Sequence, residues 1–190
     1  MSRATPWILT VGGGIGLIAS MELIIDKFAL LADPAASLFC DINPVVSCGS
    51  VLLTEEASAF GFANPILGLI GFAVVITLGV LALAKVELPR WVWIGLNIGA
   101  LFGVSFMIWL MWQSLYVIGA LCPWCMIVWA VTILIFWNVT VDNLVSGRIN
   151  LGAGVAEIAG ALRWFLVAGT YLIIAGLIFV RWLDFWLGRS

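Results

Sequence analysis

Four cysteines, Cys40, Cys48, Cys122 and Cys125, are the side chains in this sequence best suited to redox or metal chemistry. Histidine is absent, which removes the commonest acid–base group near neutral pH and the commonest metal ligand. The second pair lies in Cys122-Pro123-Trp124-Cys125, a spacing that can close a disulfide or hold a metal. Pro123 suits the first turn of a helix, where its missing N–H would have found no partner. That puts Cys122 near the cap and Cys125 one turn inside, at a helix end whose unpaired N–H groups favour a thiolate.

The elements that must position these thiols are set by hydropathy. With 64% hydrophobic residues, 9% charged residues and a mean hydropathy of +1.22, the chain is not a soluble domain. A hydrocarbon core of about 30 Å takes roughly 20 apolar residues as helix. The chain is therefore expected to be an all-α integral membrane protein, a single membrane domain over residues 1–190. Its transmembrane helices are predicted at about 7–31, 65–84, 91–118, 122–141 and 162–183, with a redox loop at 32–63. A cleaved signal peptide is the alternative for the first, but the apolar run is too long and no convincing cleavage site follows. Residues 142–161 read as a weakly polar connection with room for an interfacial helix, and residues 184–190 as a tail.

Several smaller features have structural readings. Gly12, Gly13, Gly14 and Gly16 allow close helix packing, and no strand–turn–helix context makes them a dinucleotide fingerprint. Glu22, Asp26 and Lys27 read as interfacial, with Lys27 snorkelling; a proton relay through Glu22 is the functional alternative. Thr54-Glu55-Glu56-Ala57 suits a helix start with an N-cap and an acidic first turn. Asn138-Val139-Thr140 matches a glycosylation triplet but falls within the fourth helix. A net charge of −2 with no basic cluster argues against a nucleic-acid partner.

Positive charge suggests the orientation. With the N-terminus inside, cytoplasmic segments hold Arg3, Lys85, Arg90, Arg148 and Arg163, against Lys27, Arg181 and Arg189 outside. Residues 32–62 contain no Lys or Arg, while Asp33, Asp41, Glu55 and Glu56 make them acidic. Both cysteine pairs are thereby expected at the extracytoplasmic face.

Four readings of the cysteines compete. They can be small buried hydrophobes. They can hold zinc, although Cys-x7-Cys is unusual spacing for a tetrahedral site and thiols outside the cytoplasm tend to be oxidised. They can form structural disulfides in a non-enzymatic membrane protein, although a two-residue loop gains little closure entropy. Or they form a relay in which thiolate attack passes two electrons through mixed disulfides. In the relay, a pair on a wet loop meets a protein and a pair at the bilayer edge meets a lipid-soluble acceptor. Trp124, Trp129, Trp109, Trp112 and Phe106 offer flat apolar walls for such an acceptor, and interfacial tryptophan belts are the structural alternative.

The ordered combination of Cys40-x7-Cys48 with Ser47-Cys48-Gly49-Ser50-Val51, then Phe60-Gly61-Phe62-x-Asn64-Pro65, then Cys122-Pro123-Trp124-Cys125 resembles the vitamin K epoxide reductase family, in its bacterial branch. The resemblance covers roughly residues 7–141. Bacterial members resemble the disulfide-forming membrane enzyme DsbB in job and core, but there the Cys-x-x-Cys comes first in the chain.

The resemblance implies a four-helix bundle around a quinone, menaquinone or ubiquinone, capped by the loop, with a fifth helix added. It implies Cys125 as the quinone-proximal thiolate, Cys122 as its partner, Cys48 exchanging with Cys122, and Cys40 completing the shuttle pair. Asn64 matches a hydrogen-bond donor to a quinone carbonyl, its alternative being the N-cap before Pro65. Thr54 falls where the family has a hydroxyl near the cysteines. Trp129 stands where vertebrate relatives use a Tyr, and its indole N–H donates but cannot accept or ionise. Trp124 is grouped with the quinone contacts, and no metal is expected. Many bacterial relatives carry a fused thioredoxin-like domain after the fifth helix. This sequence ends at Ser190, so a separate DsbA-like thioredoxin-fold partner is expected. The implied activity is quinone-dependent reoxidation of that partner at a bacterial plasma membrane, with reduction of a quinone epoxide as the alternative.

Overall fold

The computed structural model of the chain describes residues 2–43 and 45–188; Arg189, one of the charges used for orientation, lies outside them. Five helices are long and apolar enough to cross a membrane: α1 (Ala4–Ala32), α3 (Pro65–Leu83), α4 (Arg90–Ile118), α5 (Pro123–Val145) and α6 (Ala153–Arg181). Two short ones complete the set, α2 (Cys48–Leu52) in the loop and α7 (Leu183–Trp186) after α6. The chain is an all-α integral membrane protein, with five candidate membrane-spanning helices among the described residues.

Helix α5 is the hub, packed against α1, α4 and α6. Its Ile133, Ile135, Val139 and Val141 are all buried. Helix α1 packs on α3 through its glycines, as their spacing predicts. A Cβ on Gly16 would stand 2.5 Å from the Phe72 ring, and one on Gly13 would stand 2.8 Å from Ile76. Such contact needs the missing side chain, because van der Waals gains are collected only at close approach. Apolar side chains left exposed, such as Ile98, Phe165 and Leu172, are those of helix faces turned to lipid.

The polar connection expected at 142–161 is shorter than its composition suggests. Helix α5 continues to Val145 and α6 already begins at Ala153. Asp142 and Asn143 do not end the helix because both are buried and partnered. Asp142 forms an ion pair with Arg163 of α6, and Asn143 Nδ2 donates to the Trp93 carbonyl at 2.9 Å. The break comes at Gly147 and Gly152, whose φ values of +67° and +99° suit glycine. Asn138 is fully buried within α5, which rules it out as a surface acceptor.

The loop also differs in detail. Residues Glu55–Ser58 form a 3-10 turn with Thr54 at the N-cap position and an acidic first turn, as expected, but the Thr54 side chain makes no capping bond. Its hydroxyl instead donates back to the Val51 carbonyl at 2.9 Å, at the end of α2. Lys27 does not simply snorkel: its ammonium donates to the Leu52 carbonyl and ties α1 to α2.

Candidate thiol site and apolar cavity

Local hydrogen bonding brings the loop to the start of α5. Asn43 Oδ1 accepts from the N–H groups of Val45 and Val46 at 2.9 and 2.8 Å, forming a tight turn. The strand-like stretch that follows makes a parallel bridge between Val46 and Leu121. Leu121 N–H donates to Val45 O at 2.7 Å, and Ser47 N–H donates to Leu121 O at 2.9 Å. This register sets Cys48 beside Cys122. Ser47 then caps α2, its side chain accepting from Ser50 N–H at 3.1 Å.

Asp41 holds the other side of the loop. Its carboxylate accepts from the Ser47 hydroxyl at 2.8 Å and from Gly49 N–H at 3.0 Å. Partial desolvation pushes this carboxyl up, but hydrogen bonds from Gly49, Ser47, Leu38 and Cys48 outweigh it and hold Asp41 below its ordinary 3.8. Nothing in the sequence reading singled out Asp41 beyond its charge; the available signal was an Asp directly after a cysteine and short of a Ser-Cys-Gly.

The sulfurs meet in a buried cluster with Leu23, Leu30 and Leu52. Cys40 and Cys48 are joined as a disulfide, while Cys122 and Cys125 are free thiols. Cys122 Sγ lies 3.3 Å from Cys48 Sγ. Cys122 is the N-cap of α5, Pro123 occupies the first turn, and Cys125 N–H points to Cys122 Sγ at 3.5 Å. Charge on sulfur at the helix N-terminus is thus best stabilised at Cys122. A bond of about 2 Å between Cys48 and Cys122 needs a closure of little more than 1 Å. Asp26 of α1 completes the cluster, its carboxylate within 4.8 Å of both disulfide sulfurs.

Cys125 looks the other way. It lines a half-open cavity of about 740 Å³ bordered by α1, α3, α4 and α5 beneath the loop. No extensive packing joins α3 to α4, and the cavity fills the space between them. Its walls are apolar, with Gly95, Gly99 and Gly103 on α4 leaving room and Phe106, Val128 and Trp129 supplying surface.

The expected site residues divide. Cys125, Asn64, Thr54 and Trp129 all line the cavity. Asn64 does not act as an N-cap through its side chain. Its Oδ1 accepts from Ala59 N–H at 3.0 Å and its Nδ2 donates to Glu56 O at 2.7 Å, which leaves one amide N–H uncommitted. Trp124 does not line the cavity: it stands in the first turn of α5 and packs in the cysteine cluster. Trp109 and Trp112 also lie off it; Trp109 stacks on Phe106 at 5.7 Å and Trp112 pairs with Tyr116 at 4.4 Å.

Fold and cluster together define a class: a helical membrane protein in which a disulfide contacts the first thiol of a helix-capping pair, and the second thiol faces an apolar cavity. The family model described as "Vitamin K epoxide reductase family" matches residues 7–140, and the chain belongs to that family. It is accordingly a membrane thiol oxidoreductase, and the family is one that uses quinone. Among curated individual proteins, none matches the chain.

Proposed function

We propose that the chain is a thiol:quinone oxidoreductase that reoxidises a separate DsbA-like thioredoxin-fold protein on the extracytoplasmic side of a bacterial plasma membrane. The observation that carries this reading is the 3.3 Å approach of Cys122 to Cys48 combined with the placement of Cys125 on the cavity. One helical turn separates a thiol that meets the loop from a thiol that meets the cavity. That is the arrangement a relay between a protein dithiol and a lipid-soluble acceptor requires.

The cavity fits a quinone ring and part of its tail by size and by chemistry, since small-molecule sites of about 300–1,000 Å³ are mostly apolar with a few polar groups. Asn64 would hold a ring carbonyl through its uncommitted N–H, and Trp129 and Phe106 would wall the ring. When bound, a menaquinone or ubiquinone supplies an acceptor for two electrons and two protons.

The cycle runs through this chain's own sulfurs. A reduced partner opens Cys40–Cys48 by attack at Cys40, flanked by Phe39 and Ile42, which are 98% and 70% exposed and offer apolar contact to a protein. Cys48 thiolate attacks Cys122 of an oxidised Cys122–Cys125 pair; the Cys48–Cys122 bond forms and Cys125 leaves as a thiolate facing the cavity. The partner's second thiol displaces Cys40 from its mixed disulfide with the partner, and the freed Cys40 attacks Cys48, closing the loop disulfide and releasing Cys122. The result is the redox state of this structure, with the loop oxidised and Cys122 and Cys125 reduced. Arg90 and Arg148 support the orientation, since Arg90 donates to the Arg148 carbonyl in the loops opposite the cysteines, where cytoplasmic positive charge belongs.

The test is the loss of quinone absorbance when a reduced dithiol is added to the purified chain. Wild type is expected to reduce ubiquinone-1 or menadione. Cys125→Ala is expected to lose that activity and to accumulate a Cys48–Cys122 disulfide visible by peptide mapping. Equal turnover in the variant would sink the relay.

A further inference from the structure

Among the described residues Asp26 is the one acid at hydrogen-bonding distance from a reacting sulfur, and the relay does not use it. Its Oδ2 lies 3.6 Å from Cys40 Sγ. Among the described residues Asp26 has no salt-bridge partner, since the adjacent Lys27 is engaged with the Leu52 carbonyl. The carboxyl is half-buried, on the face of α1 whose Leu23 and Leu30 pack in the cysteine cluster. An ionised carboxylate gains nothing from leaning on a disulfide sulfur, which has no hydrogen to donate. A carboxylic acid that has just received a proton does belong there.

We propose that Asp26 is the general base that deprotonates Cys40 when the loop disulfide closes. Resting on the relay above, the step starts with a Cys48–Cys122 disulfide, a Cys40 thiol and an Asp26 carboxylate. Asp26 takes the Cys40 proton, and Cys40 sulfur attacks Cys48. The Cys40–Cys48 bond forms, the Cys48–Cys122 bond breaks, and the electron pair leaves on Cys122 as a thiolate that accepts from Cys125 N–H. One negative charge enters on Asp26 and one leaves on Cys122, so charge and atoms balance. The structure holds the arrangement that follows this step: loop disulfide closed, Cys122 free and still 3.3 Å from Cys48, and the carboxyl on Cys40. Run backwards, the same acid protonates Cys40 as it leaves.

Two further carboxylates bear on Asp26, Glu22 one turn earlier on α1 and Asp41 from the loop. Neither makes a hydrogen bond to a cysteine sulfur. Asp41 is committed to Ser47 and Gly49.

The test separates a base from a mere charge. In a Cys122→Ala background, which removes the relay beyond the loop, the reduced chain is mixed with oxidised glutathione and closure of Cys40–Cys48 is followed by quenched alkylation and mass spectrometry. Asp26→Asn is expected to slow closure about 100-fold at pH 6.5, the ordinary scale of general base catalysis. The deficit should vanish above about pH 9, where Cys40 ionises unaided. Asp26→Glu should restore most of the rate. A carboxylate acting only by its charge would predict the opposite sign: Asp26→Asn would then speed closure, because removing a nearby anion favours the thiolate. Faster or unchanged closure in Asp26→Asn overturns the proposal. Because no quinone is present, a slow Asp26→Asn with a wild type that reduces no quinone would uphold Asp26 while overturning the quinone relay.

Discussion

Helix α6 offers a quantitative test, because so little of it is buried. Only Arg163 and Val167 among its residues are buried, and the rest of its 29 residues face lipid or lie half-covered. Arg163 pairs with Asp142 of α5, their side chains 10% and 4% exposed. Its second amino group reaches Thr5 of α1 and Asn138 of α5 at 3.4 and 3.5 Å. Removing one member of a buried pair typically costs about 3–5 kcal/mol, because the survivor is left charged in a medium that cannot solvate it. Asp142 keeps two hydrogen bonds from Ser2 N–H, at 3.2 and 3.1 Å. Arg163→Met therefore belongs near the lower end, about 3 kcal/mol. Replacing both partners together, Asp142→Leu with Arg163→Met, removes the stranded charge and should recover all but about 1 kcal/mol, since well-packed apolar pairs often match buried ion pairs. Thermal unfolding in detergent, followed by tryptophan fluorescence, reads both variants, and proteolysis between α5 and α6 reports whether α6 detaches. A single variant costing less than about 1 kcal/mol, or a double variant as unstable as the single, would refute the reasoning that this pair seats α6.

Two other predictions concern the cavity and the loop. A Cβ on Gly99 meets nothing within 4 Å, so Gly99→Leu should fold normally while filling cavity space; its quinone KM should rise at least about tenfold, with Cys48–Cys122 exchange unchanged. An unchanged KM would mean that the acceptor does not use this cavity. Asp41 is held below its ordinary 3.8, so the ordering it gives the loop is present in full above that pH and is lost as the pH falls through its lower folded value. Hydrogen-exchange protection of residues 38–50 should therefore be flat at neutral pH and decline only below about pH 4, and Asp41→Asn should weaken it throughout and abolish the acid step.

What was legible in the sequence follows from which forces act along the chain and which act across it. The five spans were readable because a bilayer demands about 20 apolar residues per helix wherever the chain crosses. The N-cap position of Cys122 was readable because Pro123 marks a first turn. Asp142 and Asn143 misled, since polarity usually marks a helix leaving the membrane; here their partners, Arg163 and Trp93, sit on other helices. Trp124 packs with the cysteines while its neighbour Cys125 lines the cavity, because consecutive residues of a helix face different ways. Asp26 carried no local signal for this role, because its contact with Cys40 spans 14 positions, from the last turns of α1 into the loop.

The deepest gap between sequence and site is the meeting of Cys48 with Cys122. Residue types name both as thiols but cannot pair them; only the family resemblance did. In the structure the pairing is set by backbone, through the bonds that Leu121 makes with Val45 and Ser47 on either side of the Val46–Leu121 bridge. Any side chains of suitable size could line such a bridge, so no residue pattern announces it. The consequence is functional. The bridge keeps the loop's sulfur on one side of the α5 N-terminus while the helix carries Cys125 to the other. Electrons can then move from the loop disulfide to an apolar cavity across one helical turn.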